Sequence, residues 1–437
     1  MVQMRKIFAL LPALVLCMLA ILAGCARKTE EPQQPTIPSG VSIETPGATG
    51  TIPNPTIDLT AEDIDLSSDG WYLPKVDMIN AGAFGGGGYY DVVDSVLTFT
   101  DLSNGTSVIL CSKPGCLHYD EEEEEECDAY IGVALSLHYQ DEKVYYVSYD
   151  RGSDDRSSLW LMRRNADGTG EEKIGRLASE YITKDTNVAV RQYIFAGNML
   201  YYRADVERIV KSEDMNVHKI SEQYLMRMEL SSGKDEMLEA YKITEAPLLL
   251  GAREDMLLYD TIPSLTEEEE TNPDLRLEKP TKLRVWTETA KQSVTLFSKE
   301  YKFMGRGSLL GGKYYYRYYE NREADESHYK VYDLATQQHK DTDFLTLPVI
   351  NGRYAVYYDK DTYYDYIYDT VSGNSLPMEY NDVKLSVFES NEEGVILKIS
   401  QFEFGMPTPV NTEHRYILYS ELADGLQRTD GILMPLM

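Results

Sequence analysis

The string "GNMLYYR", residues 197–203, followed after a long insertion by "YLMRMELSSG", residues 224–233, decides the fold. The first is a tight turn running into an aromatic-rich strand, and the second is a strand running into a turn that closes on Gly. An apolar strand precedes the pair and another follows it, giving four strands at 188–195, 199–203, 224–230 and 236–241. The pattern recurs. Turn-then-strand copies are "DEKVYYVSY" from Asp141, "EDMLLYD" from Glu254, "GGKYYYRYY" from Gly311, "NGRYAVYYD" from Asn351 and "EEGVILKIS" from Glu392. Strand-then-turn copies end at Gly105, Gly168, Gly233, Lys291, Gln337, Gly373 and Gly425, a mean period of about 53 residues. Five of these seven positions carry Gly, as a turn with positive φ prefers. A sheet of four short strands cannot hide both faces alone, so such units stack radially. The expected fold is therefore all-β, a β-propeller of four-stranded blades, seven in number with six and eight as the neighbouring counts. The faintest copy is the first, for which 71–73, 89–93, 96–100 and 108–111 must serve.

Composition agrees. Of 437 residues, 34 are Tyr against 10 Phe and 3 Trp, and an aromatic ring with a polar tip suits a half-buried strand. Asp and Glu number 72 and Lys and Arg 42, a net charge of −30. That balance argues against nucleic acid as a partner, since a phosphate backbone needs a basic face.

The N-terminus reads as an export signal over residues 1–24. Arg5 and Lys6 form a short positive region, and residues 7–21 an apolar one, broken by Pro12 and short for a bilayer span. Leu22-Ala23-Gly24-Cys25 follows and resembles the lipobox of bacterial lipoproteins. The resemblance implies cleavage before Cys25 and lipid on its sulfur, anchoring the chain at the extracytoplasmic face of the cell membrane. Residues 25–66 then read as the lipidated Cys and a disordered, Pro- and Thr-rich linker, with Pro32, Pro35, Pro38, Pro46, Pro53 and Pro55 and no apolar periodicity. Thirty such residues reach roughly 30 Å as a coil and about 90 Å as polyproline. The propeller domain is expected over 67–437.

Three cysteines remain, in "LCSKPGCLHYDEEEEEECDAY": Cys111, Cys116 and Cys127, with His118 beside the second. Three thiolates and an imidazole complete a tetrahedral zinc-type set, closed and structural. A disulfide with one Cys left free fits an exported protein equally well. With this element and the "DLxTG"-like turns, residues 67 onward resemble the Tyr-rich β-propeller lipoproteins of anaerobic, Firmicute-type bacteria, in which the C-x4-C-x-H element and a later Cys recur. The element falls in a blade-to-blade connection, expected on the face that also carries the two–three loops 204–223, 261–281 and 401–412.

Other motifs read as structure. "GSLLGGK", 307–313, imitates a phosphate loop but lacks the following Ser or Thr and enters a strand, not a helix. "FGGGG", 84–88, also leads into a strand. Asp359, Asp361 and Asp365 lack the spacing and Gly of a calcium loop, and Trp160 and Trp286 occupy matching core positions. His118, His138, His218, His328, His339 and His414 join no H-E-x-x-H, and there is no G-x-S-x-G elbow. The expectation is a non-enzymatic binding or interaction module for an extracellular or envelope protein, peptide or glycan. The alternative is a propeller-fold enzyme acting on extracellular glycans or peptides, whose residues come from separate blades and leave no local motif.

Overall fold

Adjacent side chains of a strand leave its sheet on opposite faces, and here both faces are apolar, so every sheet must be covered twice. The computed structural model describes Thr60 to Met434 apart from 67–69, 75–81, 119–126, 150–157, 184, 212–216, 243–244, 264–280, 300–306, 320–326, 343–353, 360–363, 370–374, 378, 381–382, 404–407 and 424–430. Cys25, the signal segment, the acidic run 121–126, Asp361 and most of the loop 261–281 thus lie outside the described residues. All described residues fall in one unit, Ile57–Met437.

Consecutive strands pair antiparallel into seven sheets, spanning 83–109, 134–176, 186–242, 245–299, 308–342, 354–377 and 379–434. Six carry at least four strands, against the seven complete blades expected. The sixth sheet shows three, and the segment ahead of it, 343–353, is outside the described residues. The seventh gains a fifth strand from the two-residue Glu379–Tyr380. First strands of neighbouring sheets lie against one another, which puts them at the centre of the ring.

The Tyr-Tyr doublets explain the stacking. Tyr90 packs with Leu137, Val144 and Tyr146 of the second sheet, while Tyr89 packs with Ile396 and Tyr416 of the seventh. Tyr145 faces Leu200, Tyr202 and Met226 of the third sheet. Tyr201 turns the other way, to Leu249, Leu257 and Trp286 of the fourth. Leu258 and Val285 meet Leu309, Tyr314 and Tyr332, and Ile367 meets Leu385 and Val395. Every tyrosine buried this way needs a partner for its hydroxyl. Tyr89 Oη donates to Glu389 Oε2 at 2.8 Å, Tyr146 to Glu171 Oε2 at 2.7 Å, Tyr202 to Asp235 Oδ2 at 2.7 Å and Tyr314 to Asp260 Oδ2 at 2.5 Å. The surplus of Tyr and part of the surplus of acid are two halves of one device.

The three–four turns carry the next level of packing. Gly168 and Gly233 sit at φ 85° and 67°, and a Cβ on either would lie 2.4 Å from the Leu110 oxygen or 2.2 Å from that of Ile174. The last strand of one sheet thus ends on the three–four turn of the next. Lys291 and Gln337, at the corresponding places without Gly, still adopt φ of 50° and 55°.

Three expectations fail here. Residues 71–73 are not a first-sheet strand; that sheet consists of Ala83–Gly85, Gly88–Val93, Val96–Asp101 and Ser107–Ile109. Tyr72 instead pairs with Ala252 on the inner edge of the fourth sheet, with both N–H···O distances 2.8 Å. Nor is the linker disordered up to residue 66: a 3-10 turn at Ala61–Asp63 is followed by Ile64 and Leu66, buried in the core between the fourth and fifth sheets. Two aliphatic side chains spaced by one residue suffice to dock an extended strap. The expected loop 204–223 is likewise mostly strand. Met199–Lys211 and Val217–Glu229 pair throughout, outrunning the neighbouring strands Thr186–Ala196 and Asp235–Lys242. Among the described residues no helix is long and apolar enough to cross a membrane.

Candidate metal centre

Cys111 lies two residues past the end of the last strand of the first sheet, Ser107–Ile109. Pro114-Gly115 then turns the chain, Gly115 at φ 74°, and the Cys116 N–H donates to the Lys113 carbonyl at 3.4 Å. His118 takes φ 56°, a conformation uncommon for an L side chain. Its Nδ1 lies 3.5 Å from Cys127 Sγ. Cys127, 3% exposed, belongs to an apolar pocket of Val96 and Ala129 with Ile109 and Tyr130 against it. One ligand atom from each of Cys111, Cys116, His118 and Cys127 falls within 4.8 Å of every other.

That geometry fits a metal. Tetrahedral ligands at about 2.3 Å from an ion stand roughly 3.8 Å apart, so the set closes on zinc with small side-chain shifts. Electrostatics divide the thiols. Burial pushes the Cys111 thiol up, but N–H groups of Lys113 and Asp128 and the neighbouring thiols outweigh it and hold the group below its ordinary value. Burial pushes Cys127 up to about 12, against the pull of the Ala129 N–H. Backbone amides already aimed at sulfur are the support that thiolate ligands need. All three cysteines are free thiols in this arrangement. With four protein ligands the set leaves no open position for water, so the chemistry it offers is cross-linking.

The sequence led us to expect the loop on the two–three face, and both its ends meet the first sheet beside the two–three turn. Ile131 and Gly132 N–H donate to Ser95 O at 2.8 and 3.1 Å, in the two–three turn of the first sheet. Leu110, at the loop's other end, abuts Gly168 in the three–four turn of the second. The element runs along the seam between two sheets. Arg164 completes the attachment from the second sheet. Buried to 3% exposure, it donates to Asp128 O and, at 3.0 Å, to Tyr130 O, and its charge is met by Glu171. Sequence reading passed over this residue. The available signal was its place in "LWLMRRN": Arg164 shares the inward face with Met162, whereas Arg163 points to the exposed Glu172.

The remaining motifs are structural. "GSLLGGK" is the strand Ser308–Leu310, a Gly311-Gly312 turn and the start of Lys313–Tyr319. Gly86-Gly87 is the one–two turn of the first sheet. Trp286 is buried with the Arg227 guanidinium 4.9 Å above its ring, and Trp160 is half-buried near Lys173. His414 is buried and pushed below its ordinary value by that burial and by Lys398.

No protein-family model and no curated protein matches the chain. Among solved structures it is similar to the β-propeller domain of the Trilobed protease from Pyrococcus furiosus, at 10% identity and TM-score 0.42, covering 78% of this chain and 93% of that one. It is also similar to the acylaminoacyl peptidase of Pyrococcus horikoshii (10%, TM-score 0.45, 83% of this chain, 55% of that one). A third is the oligogalacturonate lyase of Vibrio parahaemolyticus (10%, TM-score 0.41, 76% and 89%). These likenesses are of fold. They correct one expectation: with peptidases and a lyase among the similar structures, the reading of the chain as non-enzymatic is withdrawn.

Proposed function

We propose that the chain is a lipid-anchored, extracytoplasmic β-propeller that binds an envelope or extracellular partner, with a zinc-type ion held by Cys111, Cys116, His118 and Cys127 as a staple between its first and second sheets. The binding reading is carried by the hairpin Met199–Lys211/Val217–Glu229. Each strand has 13 residues, and the pair extends past both neighbours on the two–three side. A two-stranded ribbon is marginally stable in water alone, and a ring does not need one to close, so a partner is the economical reason to keep it. The anchor reading is supported by the "LAGC" at 22–25 and the Pro-rich run after it. Net charge favours basic peptides or cation-bridged glycans and disfavours polyanions at long range.

The test has two parts. Cys25→Ser should release the chain from the membrane fraction. Peptide and glycan arrays probed with the exported domain should give a ligand whose binding is lost when residues 209–219 are replaced by a two-residue Asn-Gly turn, with the melting temperature kept. Binding that survives the deletion would remove the hairpin from the site. Reading the same arrays for cleavage separates binding from turnover.

A further inference from the structure

The strap at Thr60–Pro74 decides which face of the ring the N-terminal chain leaves from. Gln337, in the three–four turn of the fifth sheet, donates from Nε2 to Ala61 O at 2.7 Å. Arg253, beside the one–two turn of the fourth sheet, donates from Nη2 to Asp65 O at 2.8 Å and stands 4.9 Å over the Trp71 ring. Ile64 and Leu66 are buried between those two sheets, and Tyr72 pairs with Ala252 near the end of the innermost strand, Glu245–Arg253. In an antiparallel four-stranded blade the one–two and three–four turns share one face of the ring. These two side-chain bonds to the strap, from Gln337 and Arg253, come from that face. The strap runs inward across it, from a peripheral turn to the central edge.

We infer that the short-turn face of the propeller is the membrane-facing side, and that the two–three face, with the long hairpin of the third sheet, is presented outward. The inference rests on the lipid anchor proposed above. Taken as the Pro-rich linker proposed above, the stretch from Cys25 to residue 59 would span about 33 Å r.m.s. as a coil. Such a tether lets the domain tumble, yet its point of attachment sets which face averages closer to the bilayer. The strap resists being drawn off the ring, because its aliphatic pair, its two side-chain-to-backbone bonds and its strand pair with Ala252 must all be lost together. The partner selected by this orientation is one that approaches from outside the cell and meets the hairpin before it meets the turns.

The test uses the full lipidated chain, purified from membranes and reconstituted in phosphatidylcholine vesicles carrying a headgroup-linked quencher. A fluorescent amino acid is placed at Ser103 or Ser232, exposed on three–four turns, or at Asp94 or Thr408, exposed on two–three connections. Ser103 and Asp94 sit at opposite ends of one six-residue strand, about 20 Å apart, so quenching at Ser103 should exceed that at Asp94 by about twofold. Ser232 should exceed Thr408 in the same sense. Equal or reversed quenching in a chain that floats with the vesicles overturns the face assignment and leaves the anchor standing. A chain that fails to float overturns the anchor and the assignment with it.

Discussion

Asp235→Asn is expected to flatten the chain's stability profile between pH 4 and pH 7. Asp235 opens the last strand of the third sheet, Asp235–Lys242, where its carboxyl accepts from Tyr202 Oη at 2.8 and 2.7 Å and from Ala178 N–H at 2.8 Å. Burial pushes the carboxyl up to about 6 from an ordinary 3.8; the hydrogen bonds pull it back only in part, and Glu180 adds to the rise. The folded state therefore holds this proton more tightly than the unfolded chain. The stabilisation from protonation is fully present below pH 4 and is lost as pH rises through 6. A rise of about two pH units corresponds to about 3 kcal/mol, an upper figure for a partly accessible group. Asn accepts the same two bonds without a charge to desolvate. Guanidinium melts of the two proteins at pH 4, 5, 6 and 7 should show the variant's relative stability rising by about 2–3 kcal/mol across the series. A difference independent of pH would show that Asp235 ionises freely in the folded ring, and would refute the burial argument for it.

Purified under reducing conditions with zinc available, the chain should carry about one ion, and Cys127→Ser should abolish its binding, both read by metal analysis. Chelation should lower the melting temperature of the parent and leave that of the Ser variant unmoved. Leu66→Ala should cost about 2–4 kcal/mol in denaturant melts although residue 66 precedes every strand, because its side chain fills the core between the fourth and fifth sheets. Lys291→Gly should stabilise by up to about 1 kcal/mol, since Lys291 holds φ of 50° in an exposed turn; a loss in the same melts would mean that its contact with Glu288 outweighs the backbone relief.

The ring was legible because its signal is local and periodic. Doublets such as Tyr201-Tyr202 and turns such as Ser231–Gly233 are written in adjacent residues, and positive φ at all five described turn positions repeats what their Gly content implied. The gathering of Cys111, Cys116, His118 and Cys127 was legible for the same reason, three of the four lying within eight residues. What escaped depends on partners far away in sequence. Nothing beside Leu66 says that its pocket is made by Leu258 and Leu309. Nothing beside Arg164 says that its acceptors are Asp128 and Tyr130, 34 and more residues earlier. The extension of the hairpin 199–229 was missed through composition: Asp205, Glu207 and Arg208 look like loop, yet each is paired on both sides, to the strand before and the strand after.

The strap also bears on how the ring is closed. Among the described residues the seventh sheet is built from residues after 378 and the first from residues 83–109, and no strand from one end completes a sheet at the other. Among the described residues the closing seam is made by side chains: Tyr89 against Ile396 and Tyr416, Phe84 tilted on Tyr416, and the Tyr89 hydroxyl on Glu389. Elsewhere adjacent sheets are also joined by the chain itself, so opening there must stretch a connection, whereas the closing seam can open at no such cost. The described residues 60–66 ahead of the first sheet pack instead between the fourth and fifth sheets. Strap and Cys–His element therefore reinforce seams that are already continuous and leave the discontinuous one to aromatic packing. Local opening at that seam should thus precede global unfolding.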